Sequence, residues 1–137
     1  MRKSIRNAVR GRAGGLCEYC HAPQRFSQFA FVMDHVIAQQ HRGRTSSGNL
    51  AFACGFCNRH KGPNLSGVDP QSKRVCNLFN PRRQRWEEHF AWRGIKVIGK
   101  TSIGRATVVT LNMNSQCQHR IRRALLAEGE FPPTREP

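Results

Sequence analysis

Acid is what this chain has least of. Its 137 residues carry 8 Asp and Glu against 23 Lys and Arg, a formal net charge of +15. Charge this lopsided makes an acidic partner surface the natural counterpart and points to a polyanion. Long apolar runs are missing too. None approaches the ~18 residues of a membrane span, and no signal-peptide core is present, so a cytoplasmic protein without a membrane partner is expected. Apolar residues make up only 38%, thin for the single domain this length predicts, so a core of this kind would gain from a metal staple.

What the chain does have is cysteine in pairs. Cys17-Glu18-Tyr19-Cys20 and Cys54-Gly55-Phe56-Cys57 are two Cys-x-x-Cys knuckles. One turn of backbone in such a knuckle presents two thiolates together, and two knuckles complete a tetrahedral zinc shell. In a reducing compartment paired cysteines are metal ligands before they are disulfides. Cys76 and Cys117 stand apart and read as free thiols.

Between Glu18 and Asp69 the one acidic residue is Asp34, followed directly by His35. A lone carboxylate in so basic a segment either pairs with a neighbouring cation or holds a metal. The adjoining imidazole suits a general base at neutral pH. A magnesium or manganese ion on Asp34 would need a second protein oxygen, and Asn49 and Asn58 each carry one, with the His60 nitrogen as another option. On a helix, Asn58 and His60 point about 200° apart, so both cannot face one ion. Asn58, beside the second knuckle, is the better ligand. Lys61 falls on much the same face and is expected to steer phosphate.

The coarse element pattern is α+β. Residues 2–12 predict a basic helix with Ile5, Val9 and Ala13 as its apolar edge, ended by Gly14-Gly15. Residues 28–33 and Leu50 to Ala53 predict two strands around a polar loop. A short helix follows from Cys57 to Lys61, making a ββα unit. Residues 62–80 read as irregular. Pro81 to about Trp92 predicts a helix stopped by Gly94. Ile95 to Ile98 and Thr107 to Leu111 predict a β-hairpin, and a final basic helix begins at Asn114. The organisation expected is one domain over 1–137, with a core at 16–62, an accessory region at 63–131 and a loose tail at 132–137.

The set Cys17-x-x-Cys20, Asp34-His35, Asn49-Leu50 and Cys54-x-x-Cys57-Asn58-x-x-Lys61-Gly62 resembles the His-Asn-His (HNH, ββα-metal) endonuclease family. The zinc-knuckle bacterial subset with Asn at the third motif position is the nearest match. That resemblance implies a bacterial, metal-dependent enzyme that hydrolyses DNA phosphodiester bonds to 5′-phosphate and 3′-hydroxyl ends. It makes His35 the general base and Asn49 the brace of its loop. Asp34 and Asn58 become the ligands of the catalytic ion. DNA is the partner it implies, with RNA a second candidate. Phosphate contacts are expected from Arg42, Arg44, Arg59 and Lys61, and from Arg82, Arg83, Arg85 and Arg105 downstream. The competing expectation is a non-catalytic zinc-ribbon protein that binds nucleic acid with the same cysteines and charge.

Overall fold

The computed structural model describes residues 1–137. Helix α1 (Lys3–Ala13) turns Val9 and Ala13 inward and ends on Gly14, whose left-handed backbone (φ 61°) lets its N–H bond Gly11 O. Strands β1 (Val32–His35) and β2 (Leu50–Ala53) pair antiparallel, with His35 opposite Leu50 and Asp34 opposite Ala51. Side chains alternate across such a ribbon, and cross-strand partners share a face. Leu50 and Phe52 accordingly pack under Val9 and Ala13. Ala51 and Ala53 face the other way, into the main core with the four cysteines. Helix α2 (Gly55–Lys61) follows at once, its N-cap being Cys54, whose sulfur accepts from Cys57 N.

The first strand lies later than the sequence pattern suggests. Phe29, expected within it, is 78% exposed. Ser27 Oγ folds back on that stretch, donating to Phe29 O and accepting from Phe29 N. Local side-chain bonds of this kind compete with strand pairing.

Beyond the core the differences grow. Residues 62–80, read as irregular, contain a hairpin of β3 (Ser66–Val68) and β4 (Val75–Asn77). The helix expected over 81–92 is only α3 (Trp86–His89), and the chain then becomes β5 (Phe90–Arg93). Gly94 (φ 57°) does not end a helix. It opens the two-residue turn into β6 (Lys96–Gly99), the geometry that joins antiparallel strands. The strand expected at 107–111 is instead the second half of helix α4 (Ser102–Thr110), capped by Thr101 Oγ1 accepting from Gly104 N. Glycine makes the α4 packing possible, since a Cβ on Gly104 would lie 2.0 Å from His89 O. Ser115 caps the last helix, α5 (Gln116–Ala127).

One hydrophobic core unites these pieces. Cys17, Tyr19, Cys54 and Cys57 pack with Phe79, Phe90, Val97, Leu111 and Met113. The knuckles therefore share their interior with β5, β6 and the end of α4. Residues 132–137 form no helix or strand, yet they lie back on the start of the chain. Glu136 N donates to Gly14 O (2.8 Å), and the Arg135 guanidinium donates to Arg12 O.

Candidate active site and metal centre

The four knuckle cysteines converge. Their sulfur atoms all lie within 4.8 Å of one another, and every one is buried. Cys20 Sγ and Cys54 Sγ are 3.7 Å apart. Two thiolates at ~2.3 Å from one tetrahedral zinc ion sit ~3.8 Å apart, so the donor chemistry and the spacing both fit such an ion. Burial pushes the Cys17 thiol well above its ordinary range, whereas hydrogen bonds from the neighbouring sulfurs hold the Cys20 thiol well below its own. The C-terminal helix closes the cluster. Gln118 Nε2 lies 3.8 Å from Cys20 Sγ. Buried Arg122, one turn further on, is held by Met113 O at 2.7 Å and Ile95 O at 3.1 Å.

Asp34 and His35 end β1 on opposite faces of the ribbon. Asp34 is 4% exposed and points toward the knuckle side. Its Oδ2 accepts from Tyr19 Oη at 2.7 Å, and Lys61 Nζ stands 3.2 Å from the same oxygen. Burial raises the Asp34 carboxyl above its ordinary value, while the Lys61 charge and the Tyr19 bond pull it back. The expectation that Lys61 meets phosphate is corrected here, because its ammonium is 2% exposed and bridges Asp34 to His35 O (3.0 Å). A cation placed so deeply neutralises the aspartate and is withdrawn from solvent.

Asn58 lies one turn before Lys61 on α2 and therefore on the face that meets β1. It is half-buried and stands outside the Tyr19–Asp34–Lys61 network. One carboxylate and one amide oxygen, completed by water and phosphate, form a donor set suited to a hard divalent cation. His60 turns away, its Nδ1 bonded to Phe56 O (2.8 Å).

His35 is half-buried, and its Nε2 lies 2.9 Å from Thr45 Oγ1. The loop that brings Thr45 there is tied by Asn49. Asn49 Oδ1 accepts from Ile37 N, and Asn49 Nδ2 donates to both Ile37 O and Arg44 O, each at 2.9 Å. Gly43 is required in that loop, since a Cβ there would fall 1.6 Å from Ile37 O. Tyr19 and Thr45 escape a reading of the sequence. Tyr19 carries a signal, being the only tyrosine in the chain and lying between two ligand cysteines. Thr45 carries none.

The expected phosphate contacts divide. Arg42, Arg44, Arg59, Arg83 and Arg85 are exposed. Arg105 is not free, because its Nε and Nη2 each donate to Asp69 at 2.9 Å. Arg82 is an internal strut, with its guanidinium on Glu18 and on Leu50 O. Both corrections have one cause: a buried carboxylate captures the nearest forked donor.

The model of one protein family, described as HNH endonuclease, matches residues 17–64. The matched segment spans the cysteine cluster, Asp34, His35, Asn49 and Asn58. No curated protein and no solved structure matches the chain.

Proposed function

From the HNH domain at residues 17–64 we propose that the protein is a metal-dependent endonuclease that hydrolyses DNA phosphodiester bonds, leaving 5′-phosphate and 3′-hydroxyl ends. The observation that carries this reading is the end of β1. A half-buried imidazole, held by a hydroxyl, follows a buried carboxylate whose counter-ion, Lys61, lies one turn beyond Asn58 on α2.

The roles follow from the positions. With Nε2 of His35 on the Thr45 hydroxyl, Nδ1 is the nitrogen left to take a proton from the attacking water. Asn49 keeps the loop closed, so the imidazole does not have to be ordered when substrate arrives. Asp34 and Asn58 would hold a magnesium or manganese ion, which when bound supplies charge relief for the phosphate and its leaving oxygen. Exposed Arg42, Arg44 and Arg59 would grip flanking phosphates of DNA, or of RNA if that is the substrate. Zinc on Cys17, Cys20, Cys54 and Cys57 would do no chemistry and fix α2 against β1. Paired reduced cysteines suit the cytoplasm of a bacterial cell.

Nicking of supercoiled plasmid in magnesium or manganese tests the assignment. His35→Ala should lose about 10²- to 10⁴-fold in rate, and equal rates would overturn it. Asn58→Ala should abolish cleavage and His60→Ala should spare it. The reverse pattern would transfer the ligand role to His60.

A second reading is favoured by the Lys61–Asp34 pair, which already gives the carboxylate a counter-ion. In it the protein is a non-catalytic zinc-ribbon module. Tight, salt-sensitive DNA binding with no cleavage in either metal would support that reading.

A further inference from the structure

The outer edge of β2 faces away from β1 and carries a concentration of guanidinium groups. Leu50 O on that edge accepts from Arg12 Nη2 (2.8 Å) and Arg82 Nη1 (3.2 Å). Glu18 closes the same edge one pair further along, taking Phe52 N on its carboxylate (2.8 Å) and giving its own N–H to Phe52 O (2.8 Å). Around these groups opens a cleft of about 530 Å³ bounded by Arg12, Glu18, Gly48, Arg82, Arg83 and Arg135. Four guanidinium groups thus surround one carboxylate.

We propose that this cleft binds the phosphodiester backbone of nucleic acid at a position away from the scissile phosphate. The proposal deepens the endonuclease reading and takes its nucleic-acid ligand from it. Three features argue for phosphate. Five of the seven residues in its wall are charged and Pro81 is the one apolar side chain, so little there favours a hydrophobic ligand. Its volume equals roughly 18 waters at about 30 Å³ each, well beyond a one-ion pocket. Its donors are forked guanidinium groups, which match phosphate oxygens in pairs.

The charge balance points the same way. Glu18 already has Arg82 as its partner, and Arg82, with a side chain 10% exposed, buries an Nε that has no acceptor. Arg12, Arg83 and Arg135 are exposed, and the fold-back of the chain end delivers Arg135 to the cleft. Positive groups gathered around one cleft repel one another, and a polyanion that enters relieves that repulsion. The cleft is also near the chemistry. Leu50 is the cross-strand partner of His35, a Cα separation of about 4.5–5.5 Å.

The test is binding of a fluorescent 20-base-pair duplex, by anisotropy, over a salt series without added divalent metal. Cleavage then plays no part. Arg83→Gln with Arg135→Gln should weaken binding about tenfold and reduce the log–log salt slope by about 1–2, since each phosphate left unneutralised lowers it by ~0.9. Arg120→Gln with Arg123→Gln removes the same charge from the exposed face of α5, outside the cleft, and should change affinity less than about twofold. Equal effects from the two pairs would overturn the proposal, as would a wild-type chain that fails to bind the duplex. Arg83→Gln alone, at an exposed residue, should give about half the slope change, and no change would count against the cleft. Inorganic phosphate at matched ionic strength is the second arm. If it raises the melting temperature of wild type but not of the cleft variant, while both bind duplex equally, the cleft takes free phosphate and the backbone assignment falls. Duplex binding without nicking would sink the endonuclease reading and leave the cleft standing.

Discussion

Asp34, in the segment that matches the HNH model, and Asp69, in the accessory half, are both buried, and each faces a cation delivered by a helix. Asp69 collects five donors: Arg105 Nε and Nη2, Gln71 N, Ser72 N and Ser72 Oγ. Those bonds, the Arg105 fork foremost, hold its carboxyl well below the usual range. Asp34 has only Tyr19 and Lys61, and burial leaves it above the usual range. A saturated carboxylate ties a loop to a helix and has nothing left to offer. An under-supplied one keeps acceptor capacity inside the fold. The difference separates an aspartate whose acceptor positions are filled from one with capacity to spare.

The largest effect would erase the comparison altogether. Stripping the cation from the four-sulfur site, or changing Cys54→Ser, should unfold both halves, because the cysteines share one core with Phe79, Phe90 and Met113. Small zinc modules draw on the order of 10 kcal/mol from their metal. Circular dichroism and a melting scan would read this, and a chelated protein that still melts cooperatively would contradict it.

Next come the two cations. Lys61→Met leaves Asp34 buried without its counter-charge and should cost about 3–5 kcal/mol in urea unfolding. Arg105→Met should cost less, since the Arg105 side chain is 26% exposed and water can replace it. A larger loss at Arg105 would invert the comparison. Gly43→Ala probes the loop beside His35 alone. It forces the loop off Ile37 O and should lower nicking about 10²-fold, as for a ~1 Å misplacement, with a small fall in melting temperature. Wild-type nicking by this variant would mean that the Thr45 hydroxyl does not matter.

The smallest effect is in acid. A carboxyl depressed in the folded state adds stability above its unfolded pKa, near 4, and loses it as pH falls toward the folded value. Wild-type melting temperature should therefore drop as pH falls below about 4. Asp69→Asn should start lower at pH 7 and drop less. Parallel curves would remove Asp69 from the account.

What is legible in the sequence is what short spacing decides. The knuckles, the basic first helix and the ββα order follow from neighbours within a few residues. The fate of Lys61 does not, because it depends on α2 lying against β1 across 27 residues of chain. Val108, Val109 and Thr110 look like strand by propensity, yet the Thr101 cap and the close seat of Gly104 against His89 O make them helix. Phe90 to Arg93 fail the other way, since a helical reading of the aromatic spacing hides a two-residue hairpin turn at Gly94. Arg82 and Arg105 look like surface charge because their acids, Glu18 and Asp69, are 64 and 36 positions away.

The far edge of β2 has one more consequence. A two-stranded ribbon normally leaves an open row of backbone groups that another chain can adopt as its next strand. Here Arg12, Arg82 and Glu18 occupy Leu50 O and both polar groups of Phe52. Two arginine side chains, with the carboxylate and main-chain N–H of Glu18, take the place of a third strand. The groups that give this edge its charge also leave it no free backbone acceptor at Leu50 or Phe52 for another strand to pair with.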